Sequence, residues 1–126
     1  MRAVEHDIFL ADCPARTTLD LVANRWSVVV LHGLGQQPMR FGELQRRIGG
    51  ISPKSLTETL RRLEDNGLLE RSAGRWELTG LGLSLLGPVR ALASWAEEHT
   101  DALLEARDRR GPTRSATATG DLDVGS

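Results

Sequence analysis

Cys13 is the chain's single cysteine. No disulfide can form within the chain, and a reducing compartment is expected. Nowhere do the roughly 18 apolar residues needed to span a bilayer run together. The first residues carry acidic Glu5 and Asp7, where a secretory signal would be basic. These absences predict a cytoplasmic protein with no membrane partner. There is no glycine-rich phosphate loop and no nucleophile–base arrangement. The histidines His6, His32 and His99 lie far apart, none with a Cys, Asp or Glu at a ligand-like helical spacing. No catalytic residue, metal site or cofactor is therefore expected, and the chain does not read as an enzyme.

A strong overall charge is also lacking: the net value is −1. Its distribution is uneven. Between Arg25 and Arg75 nine basic residues face five acidic ones, which leaves that stretch at +4 and the remainder at −5. A locally basic face on a neutral protein suits a DNA binder that does not coat itself in nucleic acid, and it suits an ordinary surface too. With 126 residues the chain has room for one domain. Fifteen of its sixteen basic residues are arginine.

The best-punctuated stretch runs from Ile51 to Gly67. Ser52 is a favoured N-cap, Pro53 suits the first helical position, and Gly67 after Asn66 can close a helix. Between them the apolar residues are Leu56, Leu60 and Leu63, spaced as one narrow buried stripe. The remaining surface offers Lys54, Ser55, Thr57, Glu58, Arg61 and Arg62, which can reach bases and phosphates. Such a face also belongs to many solvated surface helices, so its neighbours decide the reading.

Upstream, Ile8, Phe9 and Leu10 form a small apolar cluster that suits packing on a second copy. Cys13-Pro14 introduces a helix over about 17–23, with Leu19 and Val22 inward. A second helix, from about Trp26 to Leu34, is apolar nearly all round and should be the central buried one; its valines leave a strand as the alternative. A third, from about Arg40 to Ile48, turns Phe41, Leu44 and Ile48 to one side. Gly49-Gly50 then supplies the tight turn of a helix-turn-helix. After Gly67 the period changes to two, predicting a β-hairpin about Ser72-Ala73-Gly74, placed as a wing. Thr79 caps a last long helix predicted to run to about Arg107, kinked at Gly87-Pro88. Its apolar positions are Leu81, Leu85, Val89, Leu92, Ala96, His99 and Leu103, and their spacing after Leu85 approaches that of a helix-pairing seam. The expected architecture is mainly α with a small β-hairpin (α+β), a winged helix-turn-helix over residues 1–108. A disordered tail is expected over 109–126.

The order and spacing of Cys13-Pro14, Leu19-Asp20-Leu21, Arg25-Trp26, Arg40-Phe41-x-Glu43-Leu44, Gly50-Ile51-Ser52-Pro53-Lys54-x-Leu56-Thr57, Leu60-Arg61-x-Leu63, Gly67-Leu68 and Leu78-Thr79-x-Leu81-Gly82 resemble the HxlR-type transcriptional regulators. These are bacterial winged-helix proteins related to the MarR group. The likeness covers about residues 13–96. It implies a homodimer joined by the N-terminal region and the long last helix, bound to a pseudo-palindromic double-stranded DNA operator. The chain departs from the family in its shorter wing, whose contact with the minor groove or flanking phosphates is left open. It also has Gly80 where the family commonly has proline.

Within that frame Lys54, Ser55, Thr57 and Glu58 are expected at base edges, and Ser52 at a phosphate drawn by the helix N-terminus. Arg40, Arg61, Arg62 and Arg75 are the further phosphate candidates. Phe9, Leu85, Val89, Leu92, Trp95, Ala96, His99 and Leu103 are assigned to the dimer interface. Trp26 and Trp76 are assigned to the core and the hairpin–body junction. Trp95 is placed at the seam, or alternatively in a small-molecule effector pocket with the N-terminal segment. Cys13 has two readings: a small apolar residue opening the first helix, or, as the resemblance implies, a sensor of an oxidant or electrophile. The functional expectation is a sequence-specific regulator, a repressor acting by steric occupancy. The alternative is a winged-helix interaction module that binds no DNA.

Overall fold

The computed structural model describes residues 6–110. In order the elements are α1 (Pro14–Val22), α2 (Arg25–Leu34), α3 (Phe41–Ile48), α4 (Pro53–Asp65), β1 (Leu69–Ser72), β2 (Arg75–Leu78), α5 (Gly80–Leu83) and α6 (Leu86–Arg110). This is the mainly helical chain with one antiparallel hairpin that the periodicities predict. The chain divides into two compact units, one ending at Ala93 and the other starting at Ser94.

In the first unit α2 lies at the centre, as its apolar run implies. Val30, Leu31 and Leu34 pack with Leu44 of α3, with Leu56, Leu60 and Leu63 of α4, and with Leu68, Leu69, Trp76 and Val89. Asn24 both ends α1 and starts α2. Its Oδ1 accepts from the Ser27 amide at 3.0 Å, and its Nδ2 donates to the carbonyls of Asp20 and Leu21 at 3.3 and 3.2 Å. The helix-turn-helix is α3, the Gly49-Gly50 turn, and α4. Both glycines have left-handed φ, 70° and 74°, with nothing near the place a Cβ would occupy. They are therefore needed for backbone conformation and not for space. Gln45 Nε2 braces the turn by donating to the Ile51 carbonyl at 3.3 Å.

The wing pairs Leu69 with Leu78, Glu70 with Glu77, Arg71 with Trp76 and Ser72 with Arg75. Ser72 is thus a strand residue, and the turn is only Ala73-Gly74, with φ of 54° and 78°. Positive φ at both central positions is the requirement of a type I′ hairpin turn. A bridge from Met39 to Trp76 adds a third short stretch: the Met39 amide donates to the Trp76 carbonyl at 3.1 Å and the Trp76 amide returns a bond at 2.7 Å. Trp76 is 6 % exposed, at the junction expected for it.

Several expectations are corrected. The first helix starts at Pro14, and Leu19 on it is exposed while Leu21 and Val22 pack on the core. Thr79 caps not the long helix but the short α5, its Oγ1 accepting from the Gly82 amide at 3.1 Å and donating to the Gly67 carbonyl at 2.6 Å. The chain breaks at Ser84-Leu85 before α6 begins. Gly87-Pro88 consequently falls in the first turn of α6, where proline displaces no intrahelical bond and has no helix to kink. Leu81, predicted on the long helix, lies on α5 and is exposed. The long helix continues to Arg110, past the predicted Arg107, so Arg109 and Arg110 are helical. The rest of the predicted tail lies outside the described residues.

Candidate nucleic-acid interface

The outward face of α4 carries most of the predicted contacts. Ser52 caps it, Oγ accepting from the Ser55 amide at 3.0 Å, and Pro53 opens it. Leu56, Leu60 and Leu63 are buried as predicted, and Thr59, 2 % exposed, joins them. Lys54, Glu58 and Arg61 are exposed, with Ser55 and Thr57 half-buried on the flanks. The first two turns of α4 thus offer a cation, a carboxylate and two hydroxyls, the cation and Ser55 nearest the positive end of the helix dipole.

The predicted arginines divide. Arg61 and Thr57 face the wing, where they line a cleft with Phe41, Leu60, Arg71 and Trp76. Arg62 lies on the other flank, its Nη2 donating to the Oγ of fully buried Ser27 at 3.5 Å, in a groove shared with Asp12, Thr17 and Asp20 of the α1 region. Arg40 is the N-cap residue of α3; its amide donates to Glu43 Oε1 at 2.8 Å, and its guanidinium lies against the hairpin turn at Gly74. Arg75 is exposed on β2 next to that turn. Arg61 and Arg40 therefore lie against the wing, Arg61 at its cleft with α4 and Arg40 at its turn, and Arg62 is diverted toward α1. Arg71, absent from the predicted contacts, stacks on the Trp76 ring with its guanidinium carbon 4.6 Å from the centroid. Its signal was the hairpin register, which sets Arg71 opposite Trp76.

Cys13 is the N-cap of α1. It is 6 % exposed, and its Sγ accepts from the Ala15 amide at 3.4 Å. Asp12 and Pro14, its neighbours, line the groove that holds Arg62.

The residues assigned to the dimer interface separate into two sets. Val89 is buried in the chain's own core and Leu85 packs against it, so both already have partners within the chain. Phe9, Leu92, Trp95 and Leu103 are exposed, at 87, 52, 49 and 49 %, and Ala96 and His99 are exposed too. On α6 His99 stacks on Trp95, with ring centroids 4.4 Å apart, and its Nδ1 lies 2.9 Å from the Trp95 carbonyl. Among the described residues no helix is long and apolar enough to cross a membrane.

Residues 21–103 match the HxlR-like helix-turn-helix family. The chain is 38% identical over 113 residues to the HTH-type transcriptional regulator YtfH of Escherichia coli (strain K12), covering 84% of this chain and 90% of that protein. Among solved structures, the transcriptional regulator ytfH from Salmonella typhimurium superposes with a TM-score of 0.74 at 35% identity, over 82% of this chain and 99% of that one. The quinone-bound YodB of B. subtilis gives 0.60 at 32% identity, over 68% and 97%. The redox regulator HypR in its reduced form gives 0.64 at 26% identity, over 73% and 98%. The fold, the glycine turn, the capped α4 and the wing all agree with these similarities: the chain belongs to the HxlR-like helix-turn-helix family of transcriptional regulators.

Proposed function

We propose that the chain acts as a homodimer on a pseudo-palindromic operator and represses by occupying it, with no catalysis of its own. The observation that carries this is α4: a capped helix with its apolar stripe fully buried and its polar first turns exposed beside a wing. In the major groove Lys54, Ser55, Thr57 and Glu58 meet base edges, Glu58 accepting from a cytosine amino group. Ser52, Arg40, Arg61 and Arg75 hold phosphates and set affinity more than sequence preference. Phe9, Leu92, Trp95, Ala96, His99 and Leu103 cover one another across the dimer. Two recognition helices about 34 Å apart then read half-sites one helical turn apart.

A mobility shift on the intergenic DNA beside the gene, with excess competitor and a salt series, tests this. A specific, salt-sensitive shift with two chains per operator is expected. No shift there, and no enrichment from a random-sequence pool, would favour an interaction module.

Cys13 is the position through which an oxidant or electrophile acts on this dimer. The redox and quinone-bound states of the solved relatives support this reading, as does the place of Cys13 at the start of α1, next to the groove that holds Arg62. Diamide or a quinone should abolish the shift of the native protein and spare that of Cys13→Ser. Equal behaviour of the two proteins would remove Cys13 from regulation.

A further inference from the structure

We propose that Arg71 and Arg61 form a seat for one phosphodiester of the DNA backbone, in the cleft between α4 and the wing. The seat rests on the DNA-binding reading above and specifies where the wing takes hold. Arg71 stands opposite Trp76 in the hairpin register, its guanidinium carbon 4.6 Å from the ring centroid. The indole beneath it is fixed, buried and bonded through both backbone groups to Met39. A guanidinium laid on an immobile aromatic face loses rotamer freedom before any ligand arrives, and its edge N–H groups stay available to an oxyanion.

Arg61 enters the same cleft from α4, with Thr57 one turn earlier and the apolar Phe41 and Leu60 beside them. The cavity is about 180 Å³, and no carboxylate lines it. Two cations sharing a small cleft without a counter-charge repel each other. An oxyanion between them removes that repulsion and accepts charge-assisted bonds from both guanidiniums and the Thr57 hydroxyl. A free phosphate has the same chemistry. The duplex is favoured as its source because the cleft lies between the exposed face of α4 and the hairpin, along the path of a strand whose groove α4 fills. The wing thus reaches DNA through a strand residue, and the shortness of its turn does not matter for this contact.

The test is binding of a labelled operator and an unrelated duplex by fluorescence anisotropy over a salt series, using the full chain and its Arg71→Ala, Arg71→Lys and Arg16→Ala variants. Arg71→Ala, which removes one contact from each protomer of the proposed dimer, should lower the salt slope by about two units and weaken both duplexes alike, roughly ten-fold per contact. Arg71→Lys should restore the slope but not the full affinity, because lysine has no flat face to lie on Trp76. Arg16→Ala, a charge removed from α1, should leave the slope unchanged. A merely structural Arg71 would change the thermal melt and not the slope. An Arg71→Ala slope equal to that of the native chain overturns the seat while the regulator reading stands. So does a slope kept alongside loss of a tryptophan fluorescence response to inorganic phosphate, which would assign the cleft to a free anion. Absence of salt-dependent binding by the native chain overturns both.

Discussion

A Cβ placed on Gly82 would be driven into the carbonyl oxygen of Leu68, and backbone cannot swing aside as a side-chain tip can. Gly82→Ala should therefore destabilise the chain by about 1–3 kcal/mol, seen as a lower thermal midpoint. Gly80→Ala, two residues earlier with open space around it, should be neutral or slightly stabilising. An equal loss in both would remove the close approach as the cause. Gly82 could be read in the sequence only as part of Leu78-Thr79-x-Leu81-Gly82; the reason for it, a backbone carbonyl from Leu68, just before β1, pressed against α5, depends on tertiary contact. Thr59 is a similar case. Its position flanks the leucine stripe of α4, but a threonine gives no hydropathy signal strong enough to place it inside. Arg62 was legible as a charge on the recognition helix, whereas its bond to Ser27, distant in sequence, was not.

The elements best marked by local chemistry were the ones the sequence placed best. Ser52-Pro53 and Gly67 bound α4 because capping and left-handed φ are properties of single residues and their immediate neighbours. The division of the last helix at Ser84-Leu85 was hidden for the opposite reason. Leu81, Leu85 and Val89 keep the i, i+4 rhythm of a helix across the break, and α5 packs against the hairpin before it. In the wing, Ala73 bears a positive φ of 54°, which costs an L-residue about 1 kcal/mol. Ala73→Asn, better suited to a type I′ turn before Gly74, should stabilise the chain by about 0.5–1 kcal/mol in a denaturant titration. A midpoint that falls instead would show that the hairpin turn is not under this strain.

For the molecule as a whole, the apolar positions of the last helix serve different ends at different points along it. Val89 is in the core, so Val89→Ala should lower stability by about 1–3 kcal/mol at any protein concentration. Leu103 is exposed, so Leu103→Glu should leave the circular dichroism of the chain native-like and convert the proposed dimer to a monomer in sedimentation. Its melting midpoint should lose the concentration dependence that assembly confers. A Leu103→Glu protein that still sediments as a dimer would place the seam elsewhere. Single-sequence spacing could not separate these roles, because an apolar side chain has the same signature whether it is covered by its own chain or by another.

The bridge between Met39 and Trp76 also bears on the order in which the chain acquires structure. A two-stranded ribbon of this length is marginal in water, and here its third partner precedes α3. Joining them closes a loop that contains both helices of the DNA-binding motif and the turn between them. The entropy of that closure falls as α3 and α4 form and shorten the span between its ends. The hairpin accordingly has no stable existence before the motif it flanks, and a folding intermediate that holds the wing without the helix-turn-helix is disfavoured by the connectivity itself.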